Sequence, residues 1–310
     1  MTALRRDDVT LLDGLVTGRS TLPDEAADDS PIIAYLHGGG SSSREPQNPP
    51  LPIFDLYAGH GFRSYSLDRP GYGGSAWLGA PGTVDHGVYA ASAERLDAAI
   101  AELWGRVGGR SCGVVLHGCS VGAAVALHIA RLHAAARAGG GASWPLLGVI
   151  ASDIGHAPRP GIPEVWASTP EQDILDDLAP LVRAEIDFGP DWARHVSIGD
   201  NGPVRIPRAE MLEIVGGWVR EARAVAAAVD VPVHWRIAEF DPLWVVDPER
   251  VAEFTAALAM NAPYVDGRVV PGATHPVHEG PIGRSFVFDN LGFIEYCIAA
   301  AREPRILERR

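Results

Sequence analysis

Ser120, Asp241 and His275 are the residues of this chain whose types could do chemistry together. A serine hydroxyl is a weak nucleophile until a base removes its proton. Histidine, with an unperturbed pKa near ~6.5, can do so at neutral pH. A carboxylate then fixes the imidazole tautomer and stabilises the imidazolium. Ser120 lies in Gly118-Cys119-Ser120-Val121-Gly122, between an apolar run ending at Leu116 and His117 and an Ala-rich stretch. That pattern fits a sharp turn from strand to helix, which strains the serine backbone and pushes its hydroxyl outward. The neighbours must be small where the two backbones pass, and Gly118, Gly122, Ala123 and Ala124 are. The amides opening the helix favour a developing negative charge. The expected chemistry is attack of a serine on a carbonyl.

Each assignment has a competitor. Asp153 also follows an apolar strand and could supply the acid in place of Asp241; His278 stands three residues after His275. His117 and His156 read as structural, and Cys119 as packing. The glycine run His37-Gly38-Gly39-Gly40-Ser41-Ser42-Ser43 after a buried strand could cradle phosphate, bind an oxyanion or form a surface turn. It has neither GxGxxG nor GxxxxGK[ST] spacing. The elbow downstream favours the oxyanion reading.

Composition narrows the field. All 26 basic residues are arginine, so no lysine is present for Schiff-base chemistry, pyridoxal phosphate or a P-loop. A net charge of −13 argues against a nucleic-acid partner. The three cysteines, Cys112, Cys119 and Cys297, form no CxxC pair or zinc spacing. No metal or organic cofactor is expected. With no signal-peptide pattern and no apolar run of the ~20 residues that span a bilayer, the expectation is a cytoplasmic protein without membrane contact. A monomer or homodimer acting on a small molecule is expected.

The elements that must position these residues follow from periodicity. Val9–Thr21 suits one or two edge strands. Buried strands are expected at 31–36, 62–67, 113–117, 146–152, 231–238 and 264–270. Helices are expected at 53–58, 89–107, 120–136, 248–260 and 284–302. The alternation implies a largely parallel sheet covered on both faces. From His156 to about Arg223 the pattern breaks into proline-separated helical pieces, at 171–184, 190–196 and 208–228. The expected division is a core of 1–155 and 226–310 with a helical cap over 156–225. Tyr72, Trp166, Trp218 and Trp244 are candidate pocket walls.

Taken together, the chain resembles the α/β-hydrolase family. The resemblance rests on His37-Gly38-Gly39, Asp68-Arg69-Pro70-Gly71-Tyr72-Gly73-Gly74-Ser75, the Gly118–Gly122 elbow, Asp241 after a late strand, and Gly272-Ala273-Thr274-His275. It implies an α/β fold: a mostly parallel eight-stranded sheet flanked by helices, with a helical cap inserted after the sixth strand. It also implies an oxyanion hole from the N–H of Val121 and that of Gly39 or Gly40. The implied activity is a serine hydrolase cleaving an ester, lactone or related acyl bond of a mid-sized apolar or aromatic molecule. Carbon–carbon bond hydrolysis, biosynthetic acyl transfer or cyclisation, or a non-catalytic receptor are alternatives on the same scaffold. His37-Gly38-Gly39-Gly40 looks like the hormone-sensitive-lipase loop, but Cys119 stands where that branch usually has an acid, so that branch is not assigned.

Overall fold

A computed structural model describes residues 4–27, 29–48, 51–79, 87–168, 174–175, 189–192 and 206–308. Strands form over Leu4–Leu11 (β1), Val16–Pro23 (β2), Ile32–Leu36 (β3), Arg63–Leu67 (β4), Val114–Cys119 (β5), Leu146–Ser152 (β6), Ile174–Leu175 (β7), Ile206–Pro207 (β8), Val233–Phe240 (β9) and Val265–Thr274 (β10). The main helices are Ile53–Gly59 (α1), Val88–Val107 (α2), Val121–Gly139 (α3), Ile162–Ala167 (α4), Arg208–Val215 (α5), Gly217–Ala227 (α6), Pro248–Leu258 (α7) and Gly283–Arg302 (α8).

Eight strands make one sheet in the order β1-β2-β4-β3-β5-β6-β9-β10. β2 runs antiparallel to both its neighbours, and the others are parallel. Strand residues alternate between two cores. Ile32, Ala34 and Leu36 face one, with Val114, Leu116, Trp235 and Ile237. Ile33 and Tyr35 face the other, with Val115 and Ile150. This period of two on strands buried on both faces produces the continuous apolar runs in the sequence. Residues of α2, α3, α6 and α7 cover the first face, and residues of α1 and α8 the second. Connections that leave a strand's carboxyl end and return over a helix put their loops along one edge of the sheet.

The expected sheet and its flanking helices are present, with the insertion between β6 and β9. Within the insertion two expectations change. Residues 208–228, expected as one helix, divide into α5 and α6 at Gly216, whose φ of −114° and ψ of −83° are not helical. A Cβ on Gly217 would lie 2.3 Å from a Glu213 carboxylate oxygen, so the Gly216-Gly217 pair lets the chain bend around that side chain. Residues 174–175, inside the helix expected over 171–184, instead pair antiparallel with 206–207. A two-residue ladder between positions some thirty residues apart leaves no periodicity to read. The rest of that expected helix, and residues 193–196 of the one expected over 190–196, lie outside the described residues.

The tightest approach in the fold is where α3 begins. A Cβ on Gly122 would sit 2.0 Å from the Leu36 carbonyl oxygen and 2.5 Å from that of His37. One on Gly118 would meet Ala123 Cα at 2.5 Å. By contrast Gly105, in α2, has open space around it. Gly122→Ala should destabilise the protein by more than about 3 kcal/mol, because backbone rather than a flexible side chain must move. Gly105→Ala should stabilise it by roughly 0.5–1 kcal/mol. Urea unfolding of the two variants checks this, and similar midpoints would refute the contact.

Candidate active site

Ser120 stands between β5 and α3 with φ 52° and ψ −121°, a conformation costly for any residue bearing a Cβ. It is held there by its N–H, which donates to the Ser152 carbonyl at 2.8 Å, and by its own carbonyl, which accepts from Ala123 N–H at 2.9 Å. The α3 amides before Ala123 have no acceptor within the helix and point out of its N-terminus. Ser120 is 8% exposed.

Strand register brings the other loops alongside. Cys119 pairs with Ser152, so Ser120 and Asp153 leave neighbouring strands together. Phe240 pairs with Thr274, so Asp241 and His275 do the same. The His275 ring donates through Nδ1 to Asp241 Oδ2 at 3.0 Å. The other Asp241 oxygen accepts from the N–H groups of Leu243 at 2.8 Å and Trp244 at 3.1 Å. Asp241 is thus buried but fully engaged, with one oxygen committed to the imidazole.

Asp153 lies in the same group. One donor atom from each of Asp153, Asp241 and His275 falls within 4.8 Å of the others. Asp153 Oδ1 accepts from Val277 N–H at 2.9 Å, so it tethers the chain two residues past the histidine. Burial, with the Asp241 charge adding to it, pushes the Asp153 carboxyl up to about 6.

The glycine loop rests against the elbow. A Cβ on Gly38 would lie 3.5 Å from Ser120 Cβ, and one on Gly39 3.6 Å from Val121 Cγ2. Two side chains that sequence reading did not single out fix this loop. Glu45 accepts from Gly38 N–H at 3.1 Å with one oxygen and from the Tyr35 hydroxyl with the other. Arg69 donates through Nε to the His37 carbonyl at 2.8 Å and through Nη2 to the Gly38 carbonyl at 3.0 Å. His37 Nε2 accepts from Arg69 N–H at 3.1 Å, which leaves the ring proton on Nδ1 to donate to the Gly38 carbonyl at 2.8 Å. Burial, and then the adjacent guanidinium, hold His37 well below the usual histidine range, so it is uncharged.

Behind Ser120, Glu45, Cys119 and His278 form a second cluster of potential metal donors within 4.8 Å of one another. Both Glu45 oxygens there already accept hydrogen bonds. Burial, and then Glu45, push the Cys119 thiol well up, and burial pushes His278 down, so both are neutral at pH 7. Cys119 is therefore a buried, unreactive thiol.

The expected pocket walls are distributed differently. Trp218 has no exposed surface, and its indole N–H donates to the Gly155 carbonyl at 2.7 Å; it is a core residue and does not line a pocket. Trp244, 2% exposed, packs on Gly155, and Tyr72, 1% exposed, donates its hydroxyl to Glu210. For Trp218 and Tyr72 the cause is shared: a large amphipathic ring with a partner for its polar tip is as well suited to a core as to a pocket, whereas the Trp244 indole N–H is buried without a hydrogen-bond partner among the described residues. Trp166, on α4, is partly exposed. His117 is buried beside the Tyr57 hydroxyl, and His156 is paired with Glu253 at 3.0 Å.

Comparison with known proteins agrees with this architecture. Residues 33–284 match the model of the alpha/beta hydrolase family, and the chain belongs to that family. Among solved structures it is similar to a highly thermostable carboxyl esterase from Bacillus coagulans in complex with glycerol. The TM-score is 0.64 at 18% identity, over 96% of this chain and 100% of that one. It is also similar to a monoacylglycerol lipase of Paleococcus ferrophilus, with a TM-score of 0.57 at 17% identity over 96% and 99% of the two chains. A third likeness is to the thioesterase domain from the curacin biosynthetic pathway, with a TM-score of 0.57 at 16% identity over 93% and 99%. No curated protein matches by sequence. Among the described residues no helix is long and apolar enough to cross a membrane.

Glu279, four residues beyond His275, generates a pH-dependent expectation. Burial, then Glu45, pushes its carboxyl up from 4.5 to about 8. The folded chain therefore holds this proton more tightly than the unfolded one. That contribution is favourable relative to an ionised buried carboxylate at low pH, and stability falls as pH rises from about 4.5 toward 8. Glu279→Gln removes the titration. Its Tm relative to wild type should rise by several degrees between about pH 5.5 and about pH 8.5. Thermal melts at the two values check this; an equal offset at both would assign the proton elsewhere.

Proposed function

We propose that the protein is a serine hydrolase that cleaves an ester, or a related acyl bond, of a small molecule. Ser120 is the nucleophile, His275 the general base and acid, and Asp241 the group that orients His275. The observation that carries the reading is the 3.0 Å bond from His275 Nδ1 to Asp241, because it leaves Nε2 as the nitrogen that can accept the serine proton. The strained backbone of Ser120 supports it, as does the family to which the chain belongs.

In this mechanism the Ser120 oxygen attacks the carbonyl carbon while His275 takes its proton. The carbonyl oxygen becomes an oxyanion. Its donors are the N–H groups of Val121, at the start of α3, and of Gly39. Peptide geometry favours Gly39 over Gly40. The Gly38 carbonyl is held by Arg69 and His37, and the N–H of Gly39 points the opposite way in the same rigid plane. His275 then gives the proton to the leaving group, and water, deprotonated by the same ring, releases the acyl group from Ser120.

The esterase, lipase and thioesterase among the similar structures support an acyl substrate. An apolar one is favoured by Trp192, which is 56% exposed, meets Phe240 edge-on at 5.9 Å and lies over Gly272 on the His275 loop. The inserted segment would cap this rim, with the core made of 1–155 and 226–310.

Ser120→Ala should abolish turnover of p-nitrophenyl esters and labelling by a fluorophosphonate while leaving the unfolding midpoint within about 1 kcal/mol of wild type. Retained turnover would remove Ser120 from this role. Asp241→Asn should lower kcat by about 10³–10⁴-fold. Asp153→Asn should lower it by less than about tenfold. The opposite ranking in steady-state kinetics would make Asp153 the acid.

A further inference from the structure

The glycine loop is tied to the inserted segment by a buried ion pair. Arg69 has no exposed surface, and Glu210, on α5, is 2% exposed. Arg69 Nη1 and Nη2 donate to the two carboxylate oxygens of Glu210, the second at 3.0 Å, while Nε and the same Nη2 hold the His37 and Gly38 carbonyls. Tyr72 donates to Glu210 Oε1, and the Tyr89 hydroxyl donates to the Glu210 main-chain carbonyl at 3.1 Å. The residues just before α5 touch the same loops. Ile206 Cδ1 lies 3.3 Å from where a Gly40 Cβ would be, and Pro207 Cγ 2.7 Å from the equivalent point on Gly71.

Two consecutive peptide planes are thereby fixed. In the 37–38 plane the carbonyl is bound to Arg69 and the N–H to Glu45. In the 38–39 plane the carbonyl is bound to Arg69 and His37, and the Gly39 N–H has no partner among the described residues. Glycine does not hold such an orientation by itself, because both signs of φ are open to it. A guanidinium can hold two neutral carbonyls in a dry site only if its charge is compensated, and Glu210 supplies that charge.

We propose that Glu210, acting through Arg69, is a positioning residue that aims the Gly39 N–H at the acyl oxygen. The inserted segment thus sets the electrostatics of the transition state as well as the shape of the site. The kinetic part of this inference rests on the serine-hydrolase reading; the coupling of Glu210 to the loop does not.

Glu210→Gln keeps the size and the Tyr72 contact but removes the charge. The expected result is a fall in kcat of about 10–100-fold on a p-nitrophenyl ester, part of the loss seen when an oxyanion donor is removed outright. KM should stay within about threefold, and a trifluoromethyl ketone inhibitor should weaken in proportion to kcat. Without substrate, amide exchange at Gly38, whose N–H donates to Glu45 in the same restrained loop, should quicken. A kcat within about twofold of wild type, or a loss confined to KM, would overturn the proposal. So would unchanged exchange at Gly38. If Glu210→Gln does not fold, Arg69→Met with Glu210→Met removes both charges together. A purely structural pair would then give full kcat, whereas a positioning pair leaves it low. Should wild type show no Ser120-dependent turnover, the hydrolase reading fails, and the exchange measurement alone decides the coupling.

Discussion

The first turn of α3 sits directly on the carbonyl end of β3, and the rest of the site depends on that contact. Because Gly122 carries no Cβ, the Leu36 and His37 carbonyls can press against the helix start. The chain leaving β3 then has to pass over Ser120 and Val121. In that loop Gly40, with φ 69°, is the position whose backbone favours glycine, while a Cβ on Gly38 would meet Ser120 at ordinary contact distance, 3.5 Å. Ser120, the amides that open α3 and the loop opposite are brought together by one backbone approach. Packing determines the location of the candidate site before any of its polar side chains is considered.

Backbone proximity does not fix the direction of an N–H bond. A run of three glycines has more conformational freedom than any other tripeptide, and the fold restrains it with charge. Glu45 holds an N–H on one side of the run, and Arg69 holds two carbonyls on the other. Both charged groups are buried, and isolated charges there would cost far more than the hydrogen bonds they make. Arg69 is matched by Glu210. The carboxylate side is softened by protonation, with burial keeping the Glu279 proton on up to about pH 8. Order in the glycine loop is thus maintained by residues outside it: Glu45 after the run, Arg69 in the Asp68–Ser75 stretch and Glu210 in the insertion.

How much of this was legible in the sequence follows from the range of each interaction. The strands, the helices, the elbow and the family could be read because each is written in a short window: a period of two or 3.6, or small residues at fixed spacing. The candidate triad was legible from loops following strands, in the order Ser, Asp, His. Arg69 stood in a recognised stretch, yet its role depends on Glu210, 141 positions away. Nothing near Glu210 marks it; on α5 it and Glu213 are carboxyls at buried positions, where a local pattern would leave a charge exposed. Trp218 and Tyr72 failed as pocket residues for the same reason, since the carbonyl and carboxylate that satisfy their polar tips come from distant segments. The β7–β8 ladder, two residues long, has no local pattern at all.

Two carboxyls near one imidazole raise the question of which should carry the charge that stabilises an imidazolium. Hydrogen bonding separates them. Asp241 accepts two main-chain N–H bonds on one oxygen and the ring on the other, so both its oxygens are engaged. Asp153 has one N–H, from Val277, and a thiol at 3.8 Å, and burial raises it to about 6. The Asp241 charge adds to burial in raising Asp153, and below about pH 6 Asp153 holds a proton while Asp241 Oδ2 keeps its bond to the His275 ring. This asymmetry is set by main-chain donors in the Leu243-Trp244 turn. It explains why a carboxyl one strand nearer to Ser120 serves the fold as a tether for the histidine loop while the more distant one is positioned for the ring.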